Sequence, residues 1–274
     1  MTNLLKNSGN ADFAKSERIG NCMIITINRP KERNPISGEL FELVERSIKI
    51  AEADNSIGAI ILTGASLENG KSFFCSGGDL NALAALREYS PAQRRETLEV
   101  LHNFTRAVRG SNVPFIAAVE GGAAGAGCSI ALTCDFVISA KEAMFSVAYV
   151  NVGLTPDGGV TSFLADILPR QLANEMCLLG KPLLASRLYD LGVVNELTAA
   201  EDALAKALIW GEKLANGPRK TIATIKHLCA AATENSLEQQ LELEAVKMVE
   251  AQGLAEAKEG IEAFFGKRKP VYNQ

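Results

Sequence analysis

The sequence predicts an α/β fold in which parallel strands are covered by helices and followed by a helical C-terminal region. Three observations predict it. Short runs of branched aliphatic residues alternate with amphipathic helical stretches through the first half of the chain. Beyond Asp157 the pattern is helical almost throughout, with stretches separated by glycine, proline or capping residues. The chain has 274 residues, 47% of them hydrophobic, enough for a substantial core.

Taken in order, the run from Asn21 to Asn28 is a strand ended at Arg29-Pro30, since proline cannot continue a ladder. Ser37 is a helix N-cap, and Leu40, Val44, Ile48 and Ala51 form one apolar stripe behind it. Ala59 to Gly64 reads as a buried strand. After a turn at Gly77-Gly78, a helix over Pro91 to Arg109 carries Leu98, Leu101, Thr105 and Val108 on one face. Val113 to Glu120 is a third apolar strand, and Phe136 to Ser139 and Met144 to Val147 are two more. Helices are expected over Arg170–Leu179, Ala199–Asn216, Arg219–Ala232, Ser236–Gln252 and Leu254–Phe265. The boundary near Leu191 to Ala199 divides a core, residues 1–195, from a helical region, residues 196–274. In that region Leu237, Leu241, Ala245, Met248 and Gln252 share one stripe. With little sheet left to cover, such stripes fold back on the core or pack between subunits, so oligomerisation is expected.

Composition narrows the function. A net charge of −4 argues against a general nucleic-acid or anionic-membrane binder. There are two histidines, His102 and His227, which excludes a three-histidine zinc site. Six scattered cysteines contain no CxxC pair, which removes support for zinc ribbons, thioredoxin chemistry and clustered iron–sulfur ligation. No metal site is expected. The scattered thiols suggest a reducing compartment, and neither a signal-peptide pattern nor a membrane-length apolar run is present, so the expected location is cytoplasmic.

Three glycine clusters hold the distinctive chemistry: Phe74-Cys75-Ser76-Gly77-Gly78-Asp79, Gly121 to Gly127, and Gly153 to Gly159. The second is not a dinucleotide loop, because Ile130 falls where close strand–helix packing demands a small residue. It is not a P-loop either, because Cys128-Ser129 replaces the required Lys and Ser or Thr. Gly127 to Ala131 approximates the nucleophile elbow of a serine hydrolase, with aspartates and then His227 following in the appropriate order. The elbow needs its serine directly after a strand, however, and residues 121–127 intervene between Glu120 and Cys128. The remaining reading is a backbone trap for developing negative charge, formed by open N–H groups at a helix start.

Four segments together resemble the crotonase, or enoyl-CoA hydratase/isomerase, superfamily: Asn28 to Asn34, Phe74 to Leu80, Pro114 to Asp135, and Gly153 to Gly159. The resemblance covers nearly the whole chain. It implies a spiral of ββα units with a helical C-terminal region joining subunits into a homotrimer or a dimer of trimers. It also implies an acyl-CoA thioester as substrate, in fatty-acid or aromatic-acid degradation, with coenzyme A part of the substrate and no separate cofactor. The thioester oxygen would be held by the N–H groups at the positions of Gly78 and Ala126. Ser76, Gly77, Gly78, Asp79 and Leu80 would border the coenzyme A, with basic residues near Arg29 to Arg33 and Lys267 to Lys269 available to its phosphates.

Family members that hydrate a double bond use two glutamates, at the positions of Ser129 and Tyr149 here; neither carboxylate is present. Ser129 and Tyr149 are then expected as substrate contacts, because their hydroxyls do not readily exchange protons near neutral pH. A third acid/base position is filled, by Asp157, among Phe145, Tyr149, Leu154 and Phe163. Its Pro-Asp-Gly-Gly setting also fits a helix N-cap. The resemblance implies isomerase chemistry, a double-bond shift or ring rearrangement through a stabilised enolate, with Asp157 as acid/base. The chain resembles most the members with an isomerase-type Asp, among them the phenylacetate-pathway epoxide isomerases, and Val119 to Val194 are similar to a group labelled alternative oxepin-CoA hydrolases. Hydration by other groups, CoA-thioester or serine hydrolysis through Ser129, and non-catalytic binding of a CoA thioester are the alternatives. His102, on the helix leading into the third strand, is expected either at the acyl pocket or as an ordinary surface or core histidine.

Overall fold

A computed structural model of the chain describes residues 13–272. Its centre is a six-stranded sheet whose strands stand side by side in chain order. β1 (Ala14–Ile19) runs antiparallel to β2 (Cys22–Ile27) across a tight turn. β3 (Ala59–Gly64), β4 (Phe115–Val119), β6 (Phe136–Ala140) and β9 (Glu196–Thr198) continue the sheet in parallel. The expected strand from Asn21 therefore has an antiparallel neighbour before it. The segment Ala14–Ile19 has no apolar alternation, and its first residue alone is buried. As an edge strand it presents Lys15, Glu17 and Arg18 to solvent, which discourages edge-to-edge pairing with another chain.

The period of two along each strand sorts the aliphatic residues onto two faces. Met23, Ile25, Ile27, Ile60, Leu62, Phe115, Ala117 and Val119 point into the larger core. There they meet α1 (Gly38–Ala53), α3 (Pro91–Gly110) and α4 (Ala126–Thr133). Cys22, Ile24, Ala59, Ile61, Ile116, Ala118 and Ile138 face the other way, onto Ala203 and Ala207 of α8 (Ala203–Ala215). α1 begins at the expected cap, with the Ser37 hydroxyl accepting from the Leu40 N–H.

A second, shorter ladder lies across the first. β5 (Gly122–Ala124) pairs with β7 (Met144–Ser146), and β7 with β8 (Leu183–Leu184). Single bridges Cys75–Ala123 and Pro35–Gly77 carry it on to the loops after β3 and β2. Each turn of the chain thus supplies a long strand to one sheet, a short strand or bridge to the other, and then a helix, which is the expected spiral of ββα units.

The C-terminal side departs from a purely helical region. β9 and α8 both follow residue 195, yet β9 is the sixth strand of the main sheet and α8 covers its second face. α8 starts at Ala203 rather than Ala199, because residues 196–198 are strand and the Glu120 carboxylate accepts from the Ala203 N–H at 2.9 Å. The helices that stand further out are α9 (Arg219–Ala231), α10 (Leu237–Gln252) and α11 (Ala255–Phe265). Between β3 and β9 lie four further helices: α2 (Leu80–Ala85), α5 (Val160–Ile167), α6 (Arg170–Leu179) and α7 (Ala185–Asp190).

One buried ammonium docks α9. Lys226 Nζ lies 2.8 Å from the Asp135 carboxylate, donates to the carbonyls of Val108 and Val113, and sits over the Phe115 ring. Its side chain is 7% exposed. Lys226→Met takes the cation from Asp135, which keeps the Phe115 N–H, and removes one donor from each of two carbonyls, and the expected cost is about 2 kcal/mol. Urea unfolding at fixed protein concentration reads it as a lowered midpoint; an unchanged midpoint refutes this account of how α9 is held.

Candidate active site

The site is assembled from loops that the strands deliver to one end of the spiral. After β2 the backbone turns through Arg33 and Asn34, both at positive φ, a conformation asparagine tolerates better than most residues. Asn34 is fully buried. Its side-chain oxygen accepts from the Arg29 N–H at 2.9 Å, and its Nδ2 donates to the carbonyls of Ala65 (2.9 Å) and Phe73 (2.6 Å). One amide thereby joins the loop after β2 to both ends of the loop after β3.

Residues 72–78 are then held from two sides. On one, the Ser76 N–H donates to the Arg33 carbonyl and the Ile36 N–H to the Gly77 carbonyl. On the other, the Phe74 N–H donates to the carbonyls of Glu120 and Gly122, and the Ala124 N–H to the Cys75 carbonyl. The approach is too close for a side chain at Gly127, where a Cβ would stand 2.2 Å from the Cys75 oxygen. Gly77, at φ +92°, is also close to that backbone, its Cβ position 2.7 Å from the Ala124 oxygen and 3.0 Å from the Ala126 nitrogen.

This contact sets Gly78 beside the start of α4. Ala126 is the first residue of that helix, and its cap, Gly125, has φ +53° and no side chain to accept from the first turn. Among the described residues, the N–H groups of Gly78 and Ala126 have no acceptor. Two such donors on adjoining backbone, one at a helix N-terminus, can polarise a carbonyl oxygen.

One turn further along α4, Ser129 meets the Pro156-Asp157-Gly158-Gly159 turn. Gly158 is at φ +65°, and a Cβ there would lie 2.9 Å from both the Ser129 Cβ and a Leu101 methyl. Thr105 on α3 donates to the Gly158 carbonyl at 3.1 Å. The Ser129 hydroxyl donates to the Asp157 backbone carbonyl at 2.9 Å. Tyr149, in the short 3-10 helix Ala148–Val152, donates to Asp157 Oδ1 at 2.6 Å, and its oxygen is 3.2 Å from Ser129 Oγ. Burial, then the Asp157 charge and the hydrogen bond to it, push the tyrosine hydroxyl far above its usual range.

Sequence expectation and geometry differ at several points. The Asp157 side chain caps no helix: α5 is capped at Gly159, without a side-chain bond. Of the apolar residues expected around Asp157, Phe145 is in the core, Leu154 is exposed, Phe163 carries the Arg109 guanidinium, and Tyr149 meets the carboxylate through its hydroxyl. The nucleophile-elbow reading is overturned, since Ser129 lies inside α4, is 1% exposed and donates to a carbonyl. His227 hydrogen-bonds to Asn112, and His102, on α3, lies 3.6 Å from Glu99. Ser76 lies over the loop after β2, and Leu80, at the start of α2, is exposed. Asp79 caps α2 through the Asn81 N–H and pairs with Arg29 at 2.8 Å, while Arg29 also stacks on Phe13. Arg268 is paired with Glu259. Asn34, Leu101 and Thr105 join the site without a motif of their own; the signals for them are an asparagine at a strand exit and a threonine on the inward stripe of α3.

Comparison with known proteins agrees with this architecture. Residues 17–274 match the family model described as "Enoyl-CoA hydratase/isomerase". The chain is 33% identical to 1,2-epoxyphenylacetyl-CoA isomerase of Escherichia coli (strain K12), over 95% of this chain and 98% of that protein. It is 29% identical to 2,3-dehydroadipyl-CoA hydratase of the same organism, over 91% and 94%. A crystal structure of an enoyl-CoA hydratase from Polaromonas sp. JS666 superposes with a TM-score of 0.90 at 40% identity, covering 95% of this chain and 99% of that one. The chain belongs to the enoyl-CoA hydratase/isomerase family, and is an acyl-CoA enzyme of that superfamily. Among the described residues no helix is long and apolar enough to cross a membrane.

The Asp79 carboxylate gives a pH test. Burial opposes its charge, but the bonds from Arg29 and from the N–H groups of Asn81 and Ala82 outweigh that and hold its pKa below the usual aspartate value. Folding therefore gains stability from it above the ordinary range and loses this as pH falls through the depressed folded value. Asp79→Asn is expected to unfold more easily than the parent at about pH 7, the gap narrowing as the pH falls below the ordinary aspartate range. A gap that stays constant across an acid titration contradicts this.

Proposed function

We propose that the enzyme isomerises an acyl-CoA, shifting a double bond or rearranging a ring, with Asp157 as the one acid/base. The observation that carries the reading is the pairing of Tyr149 and Ser129 with Asp157. In hydratases of the family two carboxylates hold the water. Here hydroxyls stand at those positions, and both donate to Asp157.

In this reading the thioester oxygen accepts from the N–H groups of Gly78 and Ala126, and residues Ser76 to Leu80 border the coenzyme A. The Asp157 carboxylate removes a proton from the acyl carbon next to the thioester. The C–H electron pair moves into an enolate whose oxygen the two N–H groups stabilise. The resulting carboxylic acid returns the proton two carbons further along, so that the double bond moves and no atom is gained or lost. In the double-bond shift only protons move, and coenzyme A enters and leaves as part of the substrate.

Asp157→Asn keeps the shape and removes the base. With 3-enoyl, 2-enoyl and ring-type CoA thioesters, chromatography and mass spectrometry separate the outcomes. Isomerisation leaves the mass unchanged with a new retention time, whereas hydration adds one water. The expectation is an isomerised product from the parent, and turnover reduced on the order of a thousandfold or more in Asp157→Asn with binding retained. Most of the activity surviving in that variant removes Asp157 from the mechanism.

The same reading makes the assembly a trimer or a dimer of trimers through the outer helices. Leu237, Met248, Val249, Phe264 and Phe265 are each more than 60% exposed in the single chain, an apolar surface that a second subunit would cover. Light scattering is expected to give three or six times the 29.2 kDa chain mass. A monomer at micromolar concentration contradicts it.

A further inference from the structure

We propose that Tyr149 and Ser129 are positioning residues that hold Asp157 so that its proton comes and goes at Oδ2 alone. This rests on the acid/base role of Asp157 given above. The hydrogen-bond pattern around the aspartate carries it. Oδ1 accepts the short bond from Tyr149, and the backbone carbonyl of the same residue accepts from Ser129. Among the described residues Oδ2 accepts from none, and no buried side-chain oxygen of the described residues lacks a partner, so this half-buried residue keeps Oδ2 accessible.

Counting hydrogens shows how the arrangement is fixed. A backbone carbonyl only accepts, so the Ser129 hydrogen is committed to Asp157 O; a carboxylate only accepts, so the Tyr149 hydrogen is committed to Oδ1. No hydrogen is left for the third side of the triangle. That side, Ser129 Oγ to Tyr149 Oη, is accordingly the longest at 3.2 Å, against 2.6 and 2.9 Å for the two bonds. When Oδ2 takes up a proton, Oδ1 remains an acceptor and neither hydroxyl has to turn. The carboxyl group therefore keeps one rotamer through the cycle. Without the Tyr149 hydroxyl, nothing among the described residues distinguishes Oδ1 from Oδ2, and the carboxyl is free to rotate about a broad, nearly two-fold torsion.

The site around this triangle is rigid where it needs to be. Ser129 is fixed in α4, three residues from Ala126, so one helix sets both an N–H donor and the hydroxyl that anchors the aspartate backbone. Thr105 secures the next carbonyl, that of Gly158, from α3.

The test compares Tyr149→Phe and Ser129→Ala with the parent on the substrate that the panel above identifies. Misplacing a reacting group by about 1 Å costs up to a hundredfold. Tyr149→Phe is therefore expected to lower kcat about 10- to 100-fold with KM within about twofold, and Ser129→Ala to do so by a smaller factor. Tyr149→Phe is then placed in the Asp157→Asn background and the residual rate followed at high enzyme concentration. A residue that acts through Asp157 has no further effect there, whereas a loss of general structural integrity lowers both backgrounds by the same factor. The proposal is overturned if Tyr149→Phe keeps kcat within about twofold of the parent, if KM alone changes, or if the same fold-loss recurs without Asp157. A parent enzyme insensitive to Asp157→Asn is a different result: it removes the acid/base reading itself, and this proposal with it.

Discussion

The site depends on how closely two pieces of main chain approach each other. Residues 72–78 and 121–127 run side by side as a bridge and a short strand of the second ladder, so near that a Cβ on Gly127 would stand 2.2 Å from the Cys75 carbonyl oxygen. Side chains as small as alanine's are excluded there. Among the described residues the contact leaves the N–H groups of Gly78 and Ala126 without acceptors on adjoining segments, and it orients α4 so that Ser129 reaches the Asp157 turn. Glycine is costly in ordinary secondary structure because it is so free in the unfolded chain. Its concentration in this one place reflects backbone packing more than flexibility.

The supporting elements translate that contact into a stable geometry. Asn34 secures residues 65 and 73 from the loop after β2. Glu120, at the end of β4, accepts the first N–H of α8 through its side chain and the Phe74 N–H through its carbonyl. One residue thus ties the site loop to the helix that covers the far face of the sheet. Asn34 and Glu120 are both buried, and among the described residues no buried side-chain nitrogen or oxygen lacks a partner, which makes them specific anchors; an unpartnered amide or carboxylate in the same place would be strongly destabilising.

Local signals in the sequence account for much of this fold. Ser37 with its apolar stripe, the aliphatic runs at 22–27, 59–64 and 115–119, and the α6 and α9–α11 stretches all declare themselves over a few residues. What escapes such a reading is whatever is defined by a distant partner. β1 is polar and is a strand only because β2 pairs with it, and β8 and β9 are two and three residues long. α8 reads as part of an outlying helical region, yet Ala203, Ala207 and Gly211 give it the flat face that a sheet accepts. At the site, the residue types and positions of Asp157, Ser129, Tyr149, Gly78 and Ala126 are visible in the chain. That the two hydroxyls converge on the aspartate is not, because it depends on the Gly158 backbone lying against Ser129 and Leu101.

The order of strands has a consequence for how the protein is made. In the main sheet β1, β2, β3, β4, β6 and β9 stand side by side in the order in which a ribosome delivers them, so the sheet can lengthen at one edge during synthesis. Its second face does not close on the same schedule. Cys22, Ile24, Ile61 and Ile116 wait for Ala203 and Ala207, and Glu120 waits 83 residues for the N–H it binds. Through most of its emergence the nascent chain carries an uncovered aliphatic surface, and the last covering helix of the sheet is also the one that locks the loop leading to Ala126.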